Sequence, residues 1–356
     1  MTTPKISWDH GTAYDLFQSL TVLHFPNKFS VRGAWTAGMR ARLSTASRET
    51  LERAQRVIHI PLHWVHGLEE PKDAETALWS LGRIPPADRL PTLAFYPEDP
   101  RVEVKDFLLG VAKRGASSDE DVEHYKELFQ CNGGGEKRPP GDEHLRGVLE
   151  VWADAEAFGE ALLEALRDYR DAFFGEEEKR IAPALVTALE RARGLADRLA
   201  LSDLLEELSQ GIRIDVAERI REITLVPSYW ITPLMMYATL GPDRALFLFG
   251  ARPPDASLIP GETVPDTLLR AVKALCDPTR LKILRYLAEE PRAPTQLTRR
   301  LRLRTPTVMH HLHALRLAGL IQVTLDTQEK KQCKEYALRP NALDGICEMI
   351  KGYIGR

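Results

Sequence analysis

The chain has 356 residues and a formal net charge of −3, with 44% hydrophobic and 28% charged residues. At roughly 150 residues per domain this is two or three domains, with the composition of a core-forming protein. Its 23 glycines and 24 prolines are too few and too scattered for a collagen-like or wholly disordered chain.

Four cysteines, Cys131, Cys276, Cys333 and Cys347, share no regular spacing and form no C-x-x-C pair. A disulfide scaffold is therefore not expected, and a reducing compartment fits best. The first ten residues lack the apolar stretch of a signal peptide. Residues 223–242 carry no charge and are long enough to span a bilayer. Pro227, Pro233 and Pro242, with Thr224, Ser228, Thr232 and Thr239 among them, make them poor material for a membrane helix. They read as buried strand and loop, and the expectation is a cytoplasmic protein with no membrane partner.

The small net charge hides an asymmetry. Residues 265–356 hold 17 basic and 9 acidic side chains, a net +8, which leaves −11 on residues 1–264. Two ordinary domains of different charge would look like this. So would a basic module that meets a polyanion beside an acidic body held away from it.

In chain order, Ala13, Leu16, Phe17, Leu20 and Leu23 fall at helical spacing, and Pro26 ends that helix. Residues 115–141 read as a loop with a short helix near His124 to Phe129. Phe158, Leu162, Ala165, Leu166 and Tyr169 repeat the helical pattern, as do Leu185, Leu189 and Ala192. Ile223 to Val226 and Ala245 to Phe249 read as two strands. Residues 251–264, rich in proline, form a linker of restricted flexibility. The expected organisation is a large acidic domain at 1–250, this linker, and a small basic domain at 265–356. All six tryptophans lie before the linker. Core packing is the expectation for them, with the lining of a ligand cavity as the alternative.

After the linker, Leu268, Leu269, Val272 and Leu275 form one apolar stripe. Asp277-Pro278 opens a second helix with an N-cap residue and a first-turn proline, carrying Leu281, Leu284 and Leu287. A short helix covers Thr295 to Leu301. Another runs from Thr305-Pro306 to Ala318-Gly319. Two alternating segments, 321–326 and 333–338, flank a polar turn with Lys330 and Lys331. A last helix carries Leu343, Ile346, Cys347, Ile350 and Ile354 on one side.

Helix, helix, short turn, helix and a lysine-tipped hairpin is the plan of a winged helix-turn-helix. A helix fits the major groove, and its N-terminal residues reach the base edges. In the candidate reading helix Val308, Leu312, Leu315 and Ala318 make the buried stripe. Thr305, Thr307, Met309, His310, His313 and Arg316 then fall on or near the outward side. Arg299, Arg300, Arg302 and Arg304 crowd the preceding turn, and Lys330, Lys331 and Lys334 mark the hairpin. The DNA-contact set is Arg300, Arg304, Thr305, Thr307, Met309, His310, His313, Arg316, Lys330, Lys331 and Lys334.

At this point the chain resembles a known family. Ala274-Leu-Cys-Asp-Pro-Thr-Arg-Leu-Lys-Ile-Leu-Arg-Tyr-Leu287 is similar to the "ALADPTRLRILRLL" signature of ArsR-type bacterial transcription regulators. Gln296 to Leu301, Pro306 to Leu312 and Leu315 to Leu320 continue that pattern without a gap, over about a quarter of the chain. Val226-Pro-Ser-Tyr-Trp230 and Phe247-Leu-Phe-Gly-Ala-Arg-Pro253 are similar to a longer subgroup with a large N-terminal region. The resemblance implies a repressor that binds double-stranded operator DNA as a homodimer on an inverted repeat, its terminal helices forming the two-fold interface. Three positions depart from the pattern. Arg302 stands where glycine is usual, so a left-handed backbone there is strained. Arg304 replaces a small polar residue, leaving Thr305 as the expected cap. Met309 replaces a serine and suits a thymine methyl better than a polar base edge.

Metal sensing in this family uses cysteines near the DNA-binding helices or Asp and His on the last helix. Neither set occurs, so no metal and no cofactor is expected. His59, His63 and His66 have offsets of four and three, but Pro61 disfavours the helix that would align them. No nucleophile elbow, phosphate loop or dinucleotide fingerprint is present, so an enzyme is not expected. The fold expected is mainly α (α+β): a large, mostly helical N-terminal domain with a small β element, then the winged domain. A small-molecule effector is one candidate partner of the acidic region, and a docking protein is the other. An enzyme or metabolite-binding protein with a DNA-binding tail is the alternative function.

Overall fold

The computed structural model describes residues 4–132, 140–214, 220–325 and 334–355. The chain forms two compact units. One gathers Met1–His10, Pro183–Tyr237 and Asp243–Arg356; the other holds Gly11–Ala182 with Ala238–Pro242. The proline-rich stretch 251–264 lies inside the first unit, so its prolines shape a connection within one packed body.

The second unit is helical. Its first six helices are α1 (Thr12–His24), α2 (Gly33–Arg40), α3 (Thr45–Val57), α4 (Leu62–His66), α5 (Ala74–Arg83) and α6 (Pro86–Ala94). Four more follow: α7 (Val102–Arg114), α8 (Asp119–Asn132), α9 (Asp142–Ala153) and α10 (Ala155–Tyr169). The amphipathic α10 is the hub and packs on α3 and α6, burying Phe158, Leu162, Leu166 and Tyr169. Gly159 makes the α6 contact possible, because a Cβ there would stand 2.0 Å from the Pro86 carbonyl oxygen. The Tyr169 hydroxyl is 2.8 Å from Ser19 Oγ, and burial pushes its pKa far up.

Two expectations change here. The region 115–141 is more ordered than its polar composition suggests. Ser118 Oγ and the Asp121 carboxylate exchange hydrogen bonds with each other's backbone N–H, starting a fourteen-residue helix, α8; residues 133–139 lie outside the description. The three histidines do not share a helix face, as Pro61 implies. Pro61 caps α4, leaving His59 before it, and His63 Nε2 lies 3.0 Å from the Thr92 carbonyl. Burial lowers the His63 pKa. Among the tryptophans, Trp152 and Trp230 are buried whereas Trp79 is 59% exposed, so core packing does not account for all six.

The first unit holds the sheets. The strands are β1 (Lys5–Trp8), β2 (Ile212–Ile214), β3 (Glu222–Ser228), β4 (Met236–Thr239) and β5 (Arg244–Gly250), with β6 (Ile321–Leu325) and β7 (Lys334–Leu338). One sheet runs β1-β3-β5-β4, and β3 is parallel to both β1 and β5, with Leu225 opposite Phe247. Both central strands are buried almost throughout. This explains why their sequences are unbroken apolar runs without alternation. The uncharged stretch 223–242 is thus strand and loop, and no described helix is long and apolar enough to cross a membrane. Helix α11 (Gly175–Ala196) and helix α12 (Leu201–Leu208) place Ala192, Leu204 and Leu205 in one core cluster with Ile223, Leu225, Phe247 and Phe249.

The remaining elements are α13 (Asp266–Leu275), α14 (Pro278–Glu289), α15 (Pro294–Leu301), α16 (Thr305–Leu317) and α17 (Ala342–Ile354). They surround a second core of Ile283, Leu287, Leu297, Val308, Leu312, Leu315, Ile321 and Ile346. The fold class is as the sequence implies: mainly α, with small sheets and a winged helical domain in the C-terminal part.

Candidate nucleic-acid interface

The geometry begins at a helix cap. The Asp277 carboxylate accepts the backbone N–H groups of Thr279 and Arg280 at 2.8 and 3.0 Å, which starts α14 with Pro278 in its first turn. These bonds hold the Asp277 pKa below the ordinary carboxylate range, the Arg280 N–H contributing most. The Gln296 side chain accepts the Ala293 N–H at 2.9 Å and anchors the start of α15.

The tight turn then falls at Arg302, which adopts the left-handed conformation (φ 54°, ψ 41°). A non-glycine residue there costs about 1–2 kcal/mol. Its side chain is exposed, so nothing crowds it. Arg304 occupies the N-cap position of α16 without a side-chain cap bond, and Thr305 is the first helical residue. Thr305 is therefore not the cap that its chemistry suggests; the backbone turn sets the helix start one residue earlier.

On α16, Val308, Leu312, Leu315 and Ala318 are all buried, as their spacing implies. Thr305, Thr307, Met309, His310 and His313 face outward and are exposed, with Met309 at 37%. Arg299, Arg300, Arg302 and Arg304 are exposed around the preceding turn. Arg300 lies over the Tyr286 ring at 5.4 Å and 3.7 Å from the Glu289 carboxylate. Lys334 is exposed at the start of β7. Lys330 and Lys331 lie outside the described residues.

Arg316 is the exception and a correction. It is only 6% exposed, and its Nη2 donates to the backbone carbonyl of Ser209, 107 positions earlier. Its Nε and Nη1 are buried without hydrogen-bond partners, and burial lowers its pKa to about 10. Helical spacing put Arg316 near the outward side. The residues after α12 cover that end of the helix and draw the guanidinium inward.

The same segment reaches the wing. Gln210 and Gly211 both have positive φ, 56° and 103°, and turn the chain from α12 into β2. β2 then lies parallel to β6, with the Val323 N–H donating to the Gly211 carbonyl at 2.8 Å. The wing is thus a three-stranded sheet, β2-β6-β7, and its third strand comes from more than a hundred residues upstream. Sequence reasoning missed this because three residues, Ile-Arg-Ile, carry too short a pattern to mark a strand.

The terminal helices expose apolar side chains. α13 buries Leu268, Ala271 and Ala274 but leaves Val272 40% exposed. α17 packs against α13 and buries Ile346, yet Leu343, Tyr353 and Ile354 stand 44%, 49% and 64% exposed. Cys276 and Cys347 are both free and exposed.

Residues 277–323 match the family model described as "Bacterial regulatory protein, arsR family". The match runs from the Asp277 cap through the reading helix to Val323 on the first wing strand. Comparison with curated proteins and with solved structures gave no match. The chain carries, in its C-terminal part, an ArsR-family helix-turn-helix domain, the domain of a family of DNA-binding bacterial regulators, preceded by a large N-terminal region.

Proposed function

We propose that the protein is a transcriptional repressor that binds operator DNA as a homodimer and is controlled through the region preceding its helix-turn-helix domain. The observation that carries the DNA contact is the outward face of α16. Thr305, Thr307, Met309, His310 and His313 are exposed there beside a ring of exposed arginines, while the opposite face is wholly buried. Such a helix can enter a major groove, with hydroxyl, imidazole and thioether groups at the base edges and guanidinium groups at the phosphates. Arg316 leaves the set of direct contacts and acts as a strut behind the helix. Repression rests on the family resemblance.

Dimerisation is supported by the exposed apolar side chains of α13 and α17. Each large aliphatic group fully buried contributes about 1.5–3 kcal/mol, and a pair of α17 helices supplies several. A two-fold dimer calls for inverted half-sites about one helical turn, roughly 10 base pairs, apart. Control from upstream is supported by the β2–β6 pairing and the Arg316–Ser209 bond, which join residues 209–214 to both the wing and the reading helix. On this reading the protein is cytoplasmic, has no enzymatic step, and needs neither metal nor cofactor.

The test is DNA binding across salt. Replacing Lys330 and Lys331 by Ala should weaken binding to every sequence and flatten the salt slope by roughly one unit per lost phosphate contact. Normal binding by the double variant at all salt concentrations would remove the hairpin from the interface.

A further inference from the structure

A cleft of about 630 Å³ opens within the first unit. That lies in the range of roughly 300–1,000 Å³ typical of small-molecule sites. One wall comes from α11, α12 and the end of β5. The other comes from the outputs of the winged domain: Ala318 and Gly319 at the end of α16, Arg339 just after β7, and Ile346 and Met349 on α17.

The lining divides by chemistry. Phe249, Leu208, Ile346 and Met349 give it an apolar interior, with Phe249 and Ile346 almost fully buried. Three arginines also line it. Arg252 has a side chain only 1% exposed, and its charge is met by Asp266 at 3.7 Å and the Thr232 carbonyl at 2.8 Å. The other two, Arg191 and Arg339, share one acid: Glu207 lies 3.4 Å from the first and 3.8 Å from the second. Two guanidinium groups facing one carboxylate leave one positive charge in surplus beside an apolar interior. A guanidinium pair of this kind suits a carboxylate, which can accept two parallel N–H bonds.

We propose that this cleft is the effector site and that its ligand class is a monoanionic organic acid with an apolar body, its carboxylate at Arg191 and Arg339. The inference rests on the proposed regulator function and names the chemistry of its effector. Glu207 and Leu208 line the cleft two residues and one residue before Ser209, the acceptor of Arg316, and Gly211, the acceptor of Val323, lies two residues after it. An acid bound at Arg339 and Arg191 competes for their pairing with Glu207. It therefore acts on the short segment that accepts the Arg316 bond from the reading helix and supplies the third wing strand.

Dodecanoate serves as probe and dodecanol as its neutral counterpart, titrated calorimetrically into the full chain below micelle-forming concentration. Dodecanoate should bind saturably with one site per chain, and dodecanol at least about tenfold more weakly, the loss of a charge-assisted pair. Arg339→Gln should weaken dodecanoate by about tenfold and leave dodecanol unchanged. Ala184→Trp, which fills the cleft from α11, should abolish both. No saturable dodecanoate binding, or binding equally tight in the parent and in Arg339→Gln, overturns the proposal. Affinity for operator DNA, measured on the same unliganded samples, separates the two readings. Normal DNA binding without dodecanoate binding refutes the cleft alone, and dodecanoate binding by a chain that does not bind DNA refutes the regulator.

Discussion

Gly211→Ala tests the link between the upstream region and the wing. Gly211 has φ +103°, outside the range that L residues adopt readily. A Cβ there would also stand 3.2 Å from Gln322 Cβ and 3.3 Å from its Cα. Backbone strain of this kind costs of order 1–3 kcal/mol. Relieving it by rotating the peptide would break the 2.8 Å bond from Val323 N–H to the Gly211 carbonyl, a further loss of about 0.5–1.5 kcal/mol. Either way a destabilisation of about 2 kcal/mol is expected. Urea denaturation would read the total, and amide exchange at Val323 would show faster opening of β6. Gly38→Ala is the control. Gly38 is inside α2 with no atom within 4 Å of an added Cβ, so alanine should stabilise by about 0.5–1 kcal/mol. A Gly211→Ala protein of parental stability, with Val323 exchanging as before, would show that β2 does not brace the wing.

Asp277→Ala removes two N-cap bonds and should cost about 1 kcal/mol of stability. The lowered Asp277 pKa gives this contribution a pH dependence: present above the unfolded carboxylate's pKa and lost as pH falls through the lower native value. Denaturation curves of Asp277→Asn should therefore show a shallower acid limb than the parent; identical limbs would refute the assignment. Leu312→Ala, at a fully buried position of α16, should destabilise by about 2–5 kcal/mol, which denaturant titration would measure. Thr307→Ala or His310→Ala should alter sequence preference by about 1–3 kcal/mol at one base position; binding to operators substituted base by base would show it. Sedimentation at micromolar concentration should give twice the 40.1 kDa chain mass, and Ile354→Glu should halve it; a parent that sediments as a monomer would refute the dimer.

Much of the winged domain was legible in the sequence because its signals are local. Asp277-Pro278 marks a cap and a first turn, Val308, Leu312 and Leu315 mark a buried stripe, and Ala318-Gly319 marks a stop. Each depends on residues within a turn or two, so helical periodicity and capping chemistry suffice. The strands β3 and β5 were legible for a related reason: a parallel strand buried on both faces must be apolar throughout. Tertiary structure alone decided where the chain's distant parts meet. Arg316 has the spacing of a surface residue, and only the Ser209 carbonyl, brought near from 107 positions away, turns it inward. The three residues of β2 carry no pattern of their own. They are a strand because β6 offers an open edge of backbone donors and acceptors, and an edge is a property of the folded sheet. The cleft has the same origin. Arg191, Glu207 and Arg339 are unremarkable in their own segments, and their shared charge arises only where α11, α12 and the end of the wing converge.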